Sequence, residues 1–161
     1  MSEATASLLL RLEIDDLQSR YSACVDSGKF ECWPDFFIED CIYRLIPREN
    51  YDRGLPLATL SFESKGMLRD RVYAATHTLF HQPYYQRHIV SGLRILGEQG
   101  GVVRCEANYV VIRTKLSERS EVFNAGRYLD KIVRVGGDLK FAERLCIFDS
   151  ELIANSIINP I

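Results

Sequence analysis

The sequence predicts an α+β domain in which helices come first and a long, curved antiparallel sheet then packs around them. Three observations carry this reading. The first 27 residues hold apolar side chains at helical spacing, four later stretches read as strands, and glycines punctuate the junctions between those strands. The 161 residues are 47% hydrophobic and 26% charged, an ordinary globular mix. A chain of this size can bury about two-thirds of its extended surface, enough for one core. No internal repeat, low-complexity tract or linker divides residues 1–161, so one domain is expected.

Leu10, Ile14, Leu17, Tyr21 and Cys24 recur at steps of four, three, four and three, which sets them on one helix face. Asp15, Gln18, Ser22 and Asp26 fall off that stripe, and Gly28 offers a left-handed stop. A second short helix follows, with Pro34 near its start and Trp33, Phe36 and Phe37 supplying bulk. Residues 41–47 form the first strand, 50–56 a loop, 57–62 a further short strand and 64–75 a third helix. Residues 77–87 take no assignment, because Pro83 interrupts any helix there. Residues 88–96 make the next strand, and the glycine-rich stretch 97–101 turns it into residues 102–114. In that strand Val103, Cys105, Ala107 and Tyr109 alternate against Arg104, Glu106 and Asn108. Val110, Val111 and Ile112 are then apolar on both faces, which predicts a strand end covered on both sides. Residues 121–135 and 139–149 form the last pair, joined at Gly136 and Gly137, where a tight turn needs positive φ.

The net charge of −2 offers no basic excess to neutralise phosphates, which argues against a nucleic-acid partner. Leu8, Leu9 and Leu10 are followed at once by Arg11, Glu13, Asp15 and Asp16, so neither a signal peptide nor a membrane span is expected, and the cytoplasm is the expected address. Cys24, Cys32, Cys41, Cys105 and Cys146 are odd in number and widely scattered, and no two form a C-x-x-C pair. Reduced, mostly buried thiols are expected, and no zinc or iron–sulfur site.

Four sets of residues have the chemistry for a site. His77 and His81 stand i, i+4, a metal-binding spacing on a helix, but no H-E-x-x-H pattern accompanies them, and local polar contacts are the expected role. His88 opens an apolar strand, either as a general base in a sheet cavity or, the favoured reading, as an imidazole bonded to backbone or to a carboxylate. Arg127, Tyr128 and Asp130 follow Gly126 on one strand, where cross-strand pairing and contact with a partner chain are evenly balanced. Arg144 and Asp149 invite the same two readings, and Glu143, flanked two residues either side by Phe141 and Leu145, is a candidate inward acid.

Taken in order, these segments resemble the small (beta) subunits of Rieske-type aromatic-ring-hydroxylating oxygenases. The likeness runs through Leu12, Ile14, Leu17 and Tyr21, then Asp26, Phe30, Trp33, Phe36 and Phe37, then Asp40 to Tyr43, Arg87 to Val90, Gly126 to Asp130, Leu139 to Arg144, and Phe148 with Asp149. The resemblance implies a cone-shaped fold shared with nuclear transport factor 2 and ketosteroid isomerase. It implies a large alpha subunit that carries a Rieske [2Fe-2S] cluster and a mononuclear non-haem iron, fed with NAD(P)H electrons through separate reductase and ferredoxin components. It also implies an α3β3 hexamer with contacts between beta subunits, and a scaffolding chain with no catalytic, cofactor or metal residue of its own. Within the family the likeness is to small subunits acting on benzoate-type acids, salicylate 5-hydroxylase among them. Residues 77–88 and 126–130, with His77, His81, Arg87, His88, Arg127, Tyr128 and Asp130, are the expected interface, since they combine aromatic, arginine and histidine character without a catalytic motif. The rival reading is a stand-alone isomerase or dehydratase of the same fold, working through Tyr21, Tyr43, His88 and Asp26.

Overall fold

A computed structural model describes residues 2–153 and 157–161. Helix α1 (Glu3–Asp26) starts where the Ser2 hydroxyl accepts from the Thr5 amide, and Gly28, at φ +71°, lets the chain leave it. The 3₁₀ segment Phe30–Phe36 follows and contains Pro34 within it rather than at its start. Strand β1 (Phe37–Pro47) begins four residues earlier than its apolar run suggests, because Glu39 and Asp40 are polar and exposed there. Helix α2 (Arg48–Asp52) takes part of the stretch expected to be loop, β2 (Leu60–Phe62) is short, and Ser64 caps α3 (Lys65–His77). The sheet is completed by β3 (Tyr84–Gln99), β4 (Val102–Lys115), β5 (Glu121–Val135) and β6 (Asp138–Phe148).

One six-stranded sheet runs β2-β1-β6-β5-β4-β3 and does not close into a barrel. It corrects the all-antiparallel expectation at one place, since β1 and β6 pair in parallel from Phe37 opposite Phe141 to Pro47 opposite Phe148. Helix α1 lies on the concave side and sends Ile14, Leu17, Tyr21 and Cys24 into the core against Trp33, Phe37, Tyr43, Tyr109, Tyr128 and Phe141. Val110 and Ile112, expected to be covered on both sides, are only half-buried on the convex face. No helix among the described residues is long and apolar enough to cross a membrane.

Two bulges decide which side chains enter the cone. Lys131 pairs with Glu143 but Ile132 pairs with Phe141, so Ala142 is an extra residue on β6. Alternation is reset there: Phe141 and Arg144 both point inward, while Glu143 and Leu145 go to the other face. The inward acid expected at Glu143 is therefore corrected, and that carboxylate meets Lys131 at 3.0 Å. A second bulge on β5, between Asn124 opposite Val111 and Val122 opposite Ile112, buries Phe123 and Asn124 together. At Gly126 the strands β5 and β6 approach so closely that any Cβ would overlap the Ile147 carbonyl oxygen.

The cysteine expectation is corrected in one respect. Cys24 and Cys32 form a disulfide that ties the end of α1 to the 3₁₀ segment, while Cys41, Cys105 and Cys146 are free and buried. Folding brings the pair together because Gly28 reverses the chain between them, a proximity that spacing alone does not reveal.

Candidate functional site

The interior of the cone is built from two polar clusters set in aromatic packing. The deeper cluster joins α1 to β5 and β6. Arg144 donates from Nε and Nη2 to the Asp130 carboxylate at 2.9 and 2.8 Å, and Asp130 also accepts from Gln18 Nε2 at 2.8 Å. The Gln18 carbonyl closes the triangle by accepting from Arg144 Nη2 at 2.5 Å. The rings of Phe141, Tyr128 and Tyr21 lie 3.9, 4.0 and 4.3 Å from the guanidinium carbon. Burial works against this charge, yet the Asp130 carboxylate together with Tyr21 and Tyr128 more than offsets it and holds the guanidinium well above its ordinary pKa. Cross-strand pairing is thus what Asp130 and Arg144 do, directly opposite each other in the β5–β6 register. Gln18, expected off the helix stripe, is buried. It follows Ile14 by four residues and precedes Tyr21 by three, a spacing that does mark it as facing inward.

The second cluster joins residues 157–161 to the core. The Ile161 carbonyl accepts from Tyr21 Oη at 2.8 Å and Tyr43 Oη at 3.1 Å, while its amide donates to Tyr43 Oη at 3.0 Å. Trp33 Nε1 donates to Tyr21 Oη, and Arg71 donates to the Ile157 and Ile158 carbonyls. Desolvation raises the phenols of Tyr21, Tyr43, Tyr109 and Tyr128 above their ordinary range. The same cause pushes the thiols of Cys105 and Cys146 up to about 12. At neutral pH none of these groups is an ionised nucleophile or base.

Of the four residues that the rival reading needs, Tyr21 and Tyr43 are therefore committed to Ile161. Asp26 and His88 are brought together away from them: Nδ1 of His88 lies 2.6 Å from Asp26 Oδ1, and the His88 amide donates to the same carboxylate. This is the carboxylate-bonded imidazole that the sequence favoured. His88, Tyr128 and Asp130 are buried within the chain itself, which leaves them no exposure to lose to a partner, contrary to their expected behaviour on assembly. His77 and Arg87 are exposed, His81 is half-buried, and Arg127 is half-buried with Tyr51 of α2 over its guanidinium. His77 ends α3 and stacks on Tyr73, whereas His81 lies beyond the helix, so the i, i+4 geometry is not met. Among the described residues no three His, Cys, Asp or Glu side chains gather as a metal site.

Residues 6–145 match the SnoaL-like domain family. Over 161 residues, the whole of both chains, 35% of positions are identical to the anthranilate 1,2-dioxygenase small subunit of Burkholderia cepacia. The chain belongs to the small subunits of aromatic-ring-hydroxylating dioxygenases. A further relative is the subunit beta 1 of the terminal oxygenase component of terephthalate 1,2-dioxygenase from a Comamonas species, 29% identical across 96% of this chain and 100% of that one. A crystal structure assigned as the beta subunit of an aromatic-ring-hydroxylating dioxygenase of Novosphingobium aromaticivorans superposes with a TM-score of 0.89. It shares 37% identity and covers 97% of this chain and 99% of its own. The expected family and the cone fold are both borne out. Small subunits of this family are components of oxygenases, and in this one the interior of the cone is packed with its own side chains.

Proposed function

We propose that this small subunit is a non-catalytic scaffold that holds large oxygenase subunits in register for hydroxylation of an aromatic acid. The observation that carries the proposal is the occupied cone, where Ile161 is bonded between Tyr21 and Tyr43 at the place an acid–base enzyme would keep for substrate. The aromatic acid is favoured because anthranilate and terephthalate, named for two relatives, are both aromatic carboxylates. Salicylate and benzoates fall in the same class. The Rieske cluster and the mononuclear iron belong, on this reading, to the large subunit, in an α3β3 assembly served by separate electron-transfer components.

Two surfaces support assembly. Residues 77–88 present His77, His81, Arg87, Tyr85 and a fully exposed Phe80, a combination suited to a docking face for the large subunit. On the convex face Ile89 is 50% and Val122 67% exposed beside half-buried Val110 and Ile112, an apolar strip suited to contact between small subunits.

The test is the native mass and iron content of what a tagged copy draws from its source cells. Recovery in a hetero-oligomer with iron and labile sulfide is the expected result. An iron-free homo-oligomer would overturn the proposal and return attention to Asp26 and His88.

A further inference from the structure

The end of α1 holds a sulfur pair that a scaffold does not need. Cys24 continues the apolar stripe of α1 into the core and is 8% exposed, whereas Cys32, in the 3₁₀ segment, is exposed. The disulfide between them thus has a sheltered end and an open one. Cys32 also forms part of the wall of a cleft of about 210 Å³, where Arg20 and Lys140 are set against Asp35 and Asp138.

A disulfide exchanges when a thiolate reaches one of its sulfurs, and exposed bonds are the labile or regulatory ones. The other thiols do not compete. Cys41, Cys105 and Cys146 are at most 1% exposed, and burial pushes them up to about 11, 12 and 12.

The turn between the two sulfurs suits the opened form as well. Ser27 Oγ donates to the Cys24 carbonyl at 2.7 Å and accepts from the Lys29 amide at 3.2 Å, and Gly28 at φ +71° completes the reversal. None of these features needs the S–S bond, so an opened pair stays near enough to close again. The Lys29 carbonyl oxygen lies 3.0 Å from Cys32 Sγ and 3.8 Å from Cys24 Sγ, an acceptor in place for either S–H.

Two residues beyond Cys24 stands Asp26, the last residue of α1. Its carboxylate accepts from the His88 amide at 3.1 and 3.0 Å and so ties the helix to β3. A cross-link from Cys24 to Cys32 restricts the opened state of this turn, and its loss favours opening.

We infer that Cys24 and Cys32 form a reversible exchange site for a low-molecular-weight thiol, and that its state sets how firmly α1 holds β3 at His88. In the first step a thiolate attacks Cys32 Sγ. A mixed disulfide forms there, the Cys24–Cys32 bond breaks, and Cys24 leaves as a thiolate that takes a proton from water. In the second step another thiolate attacks the outer sulfur of the adduct, and Cys32 leaves in the same way. Two thiols are thereby oxidised to one disulfide, and their two electrons reduce the protein pair. The oxidised form of the same thiol reverses both steps.

The test incubates the whole folded chain with oxidised glutathione, then with millimolar reduced glutathione, and alkylates it for peptide mapping by mass. Alkylation of Cys24 and Cys32, but not of the three buried cysteines, is expected after the second incubation. With oxidised glutathione, Cys24→Ser should retain one adduct on Cys32, and folded Cys32→Ser none on Cys24. Followed by NMR, hydrogen exchange of the His88 amide should be about tenfold faster in the reduced chain. A bond that never forms, or that opens only when urea unfolds the chain, overturns the exchange site. So does an adduct on Cys24, or none on Cys32. Equal exchange at His88 in both states, or a rise spread over all six strands, overturns the control of α1.

Discussion

Replacing Asp130 with asparagine is the most informative perturbation of the cone. Asp130 and Arg144 have fully buried side chains, and the carboxylate takes three hydrogen bonds, two from Arg144 and one from Gln18. The substitution keeps the shape but removes the charge and turns an amide N–H₂ toward donors. Two unit charges about 4 Å apart at an effective dielectric of about 20 interact by about 4 kcal/mol, and breaking a buried pair costs about 3–5 kcal/mol. The three rings around Arg144 offset part of this, by about 2 kcal/mol at most. A net loss of about 3 kcal/mol is expected, out of about 5–15 kcal/mol for a typical domain. Urea unfolding followed by far-UV circular dichroism measures it, and with a slope of about 2 kcal/mol per molar the midpoint falls by about 1.5 M. The triple replacement Gln18→Leu, Asp130→Leu and Arg144→Met removes the whole polar triangle. It is expected to be more stable than Asp130→Asn, since no uncompensated charge stays behind. A loss below about 1 kcal/mol for Asp130→Asn, or a triple variant less stable than the single one, would refute the reasoning.

Gly126→Ala places a Cβ against the Ile147 carbonyl and 2.8 Å from Phe148 Cα, both backbone atoms that cannot rotate aside. A loss of about 1–3 kcal/mol by the same urea assay is expected, and an unchanged midpoint would contradict it. Denatured, unreduced protein should titrate three thiols and reduced protein five. Cys24→Ser should cost about 2–3 kcal/mol by loop entropy, and five thiols without reductant would remove the basis for that figure. Alkali should unfold the chain cooperatively. Burial pushes Cys105 and Cys146 from 9.0 up to about 12, so between those values the unfolded chain has lost protons that the folded one keeps. Stability is then complete below pH 9 and falls as pH rises, by about 1.4 kcal/mol per unit for each such group. Tyr21, Tyr43, Tyr109 and Tyr128, raised by the same burial, add to the loss at still higher pH. Tyrosine absorbance at 295 nm should show these four ionising only together with unfolding, and their independent titration in a folded chain would count against the closed cone.

Periodicity was enough to read most of the elements. Step sizes of three and four along Leu10 to Cys24, alternation from Val103 to Tyr109, and the glycine pair at 136–137 are local signals, set by the geometry of a single helix or hairpin. Even Gln18 was legible in principle, because its offsets from Ile14 and Tyr21 are helical ones. The family was legible too, through the order of short segments that are each weak alone.

What local pattern could not supply was every relation that depends on a second strand. The bulge at Ala142 exists only in the pairing of β6 with β5, and one extra residue there sends Arg144 inward and Glu143 outward. The parallel partnership of β1 and β6 joins segments about a hundred residues apart, and the closing of the cone by Ile161 spans 118 residues to Tyr43. Composition, helix faces and hairpins were determined by the sequence over a few residues at a time. Whether the cone was open or filled, and which strands came to lie at the two edges of the sheet, was decided only by tertiary structure. Those features belong to contacts between distant segments, and a hydrophobic pattern reports burial without naming the partner.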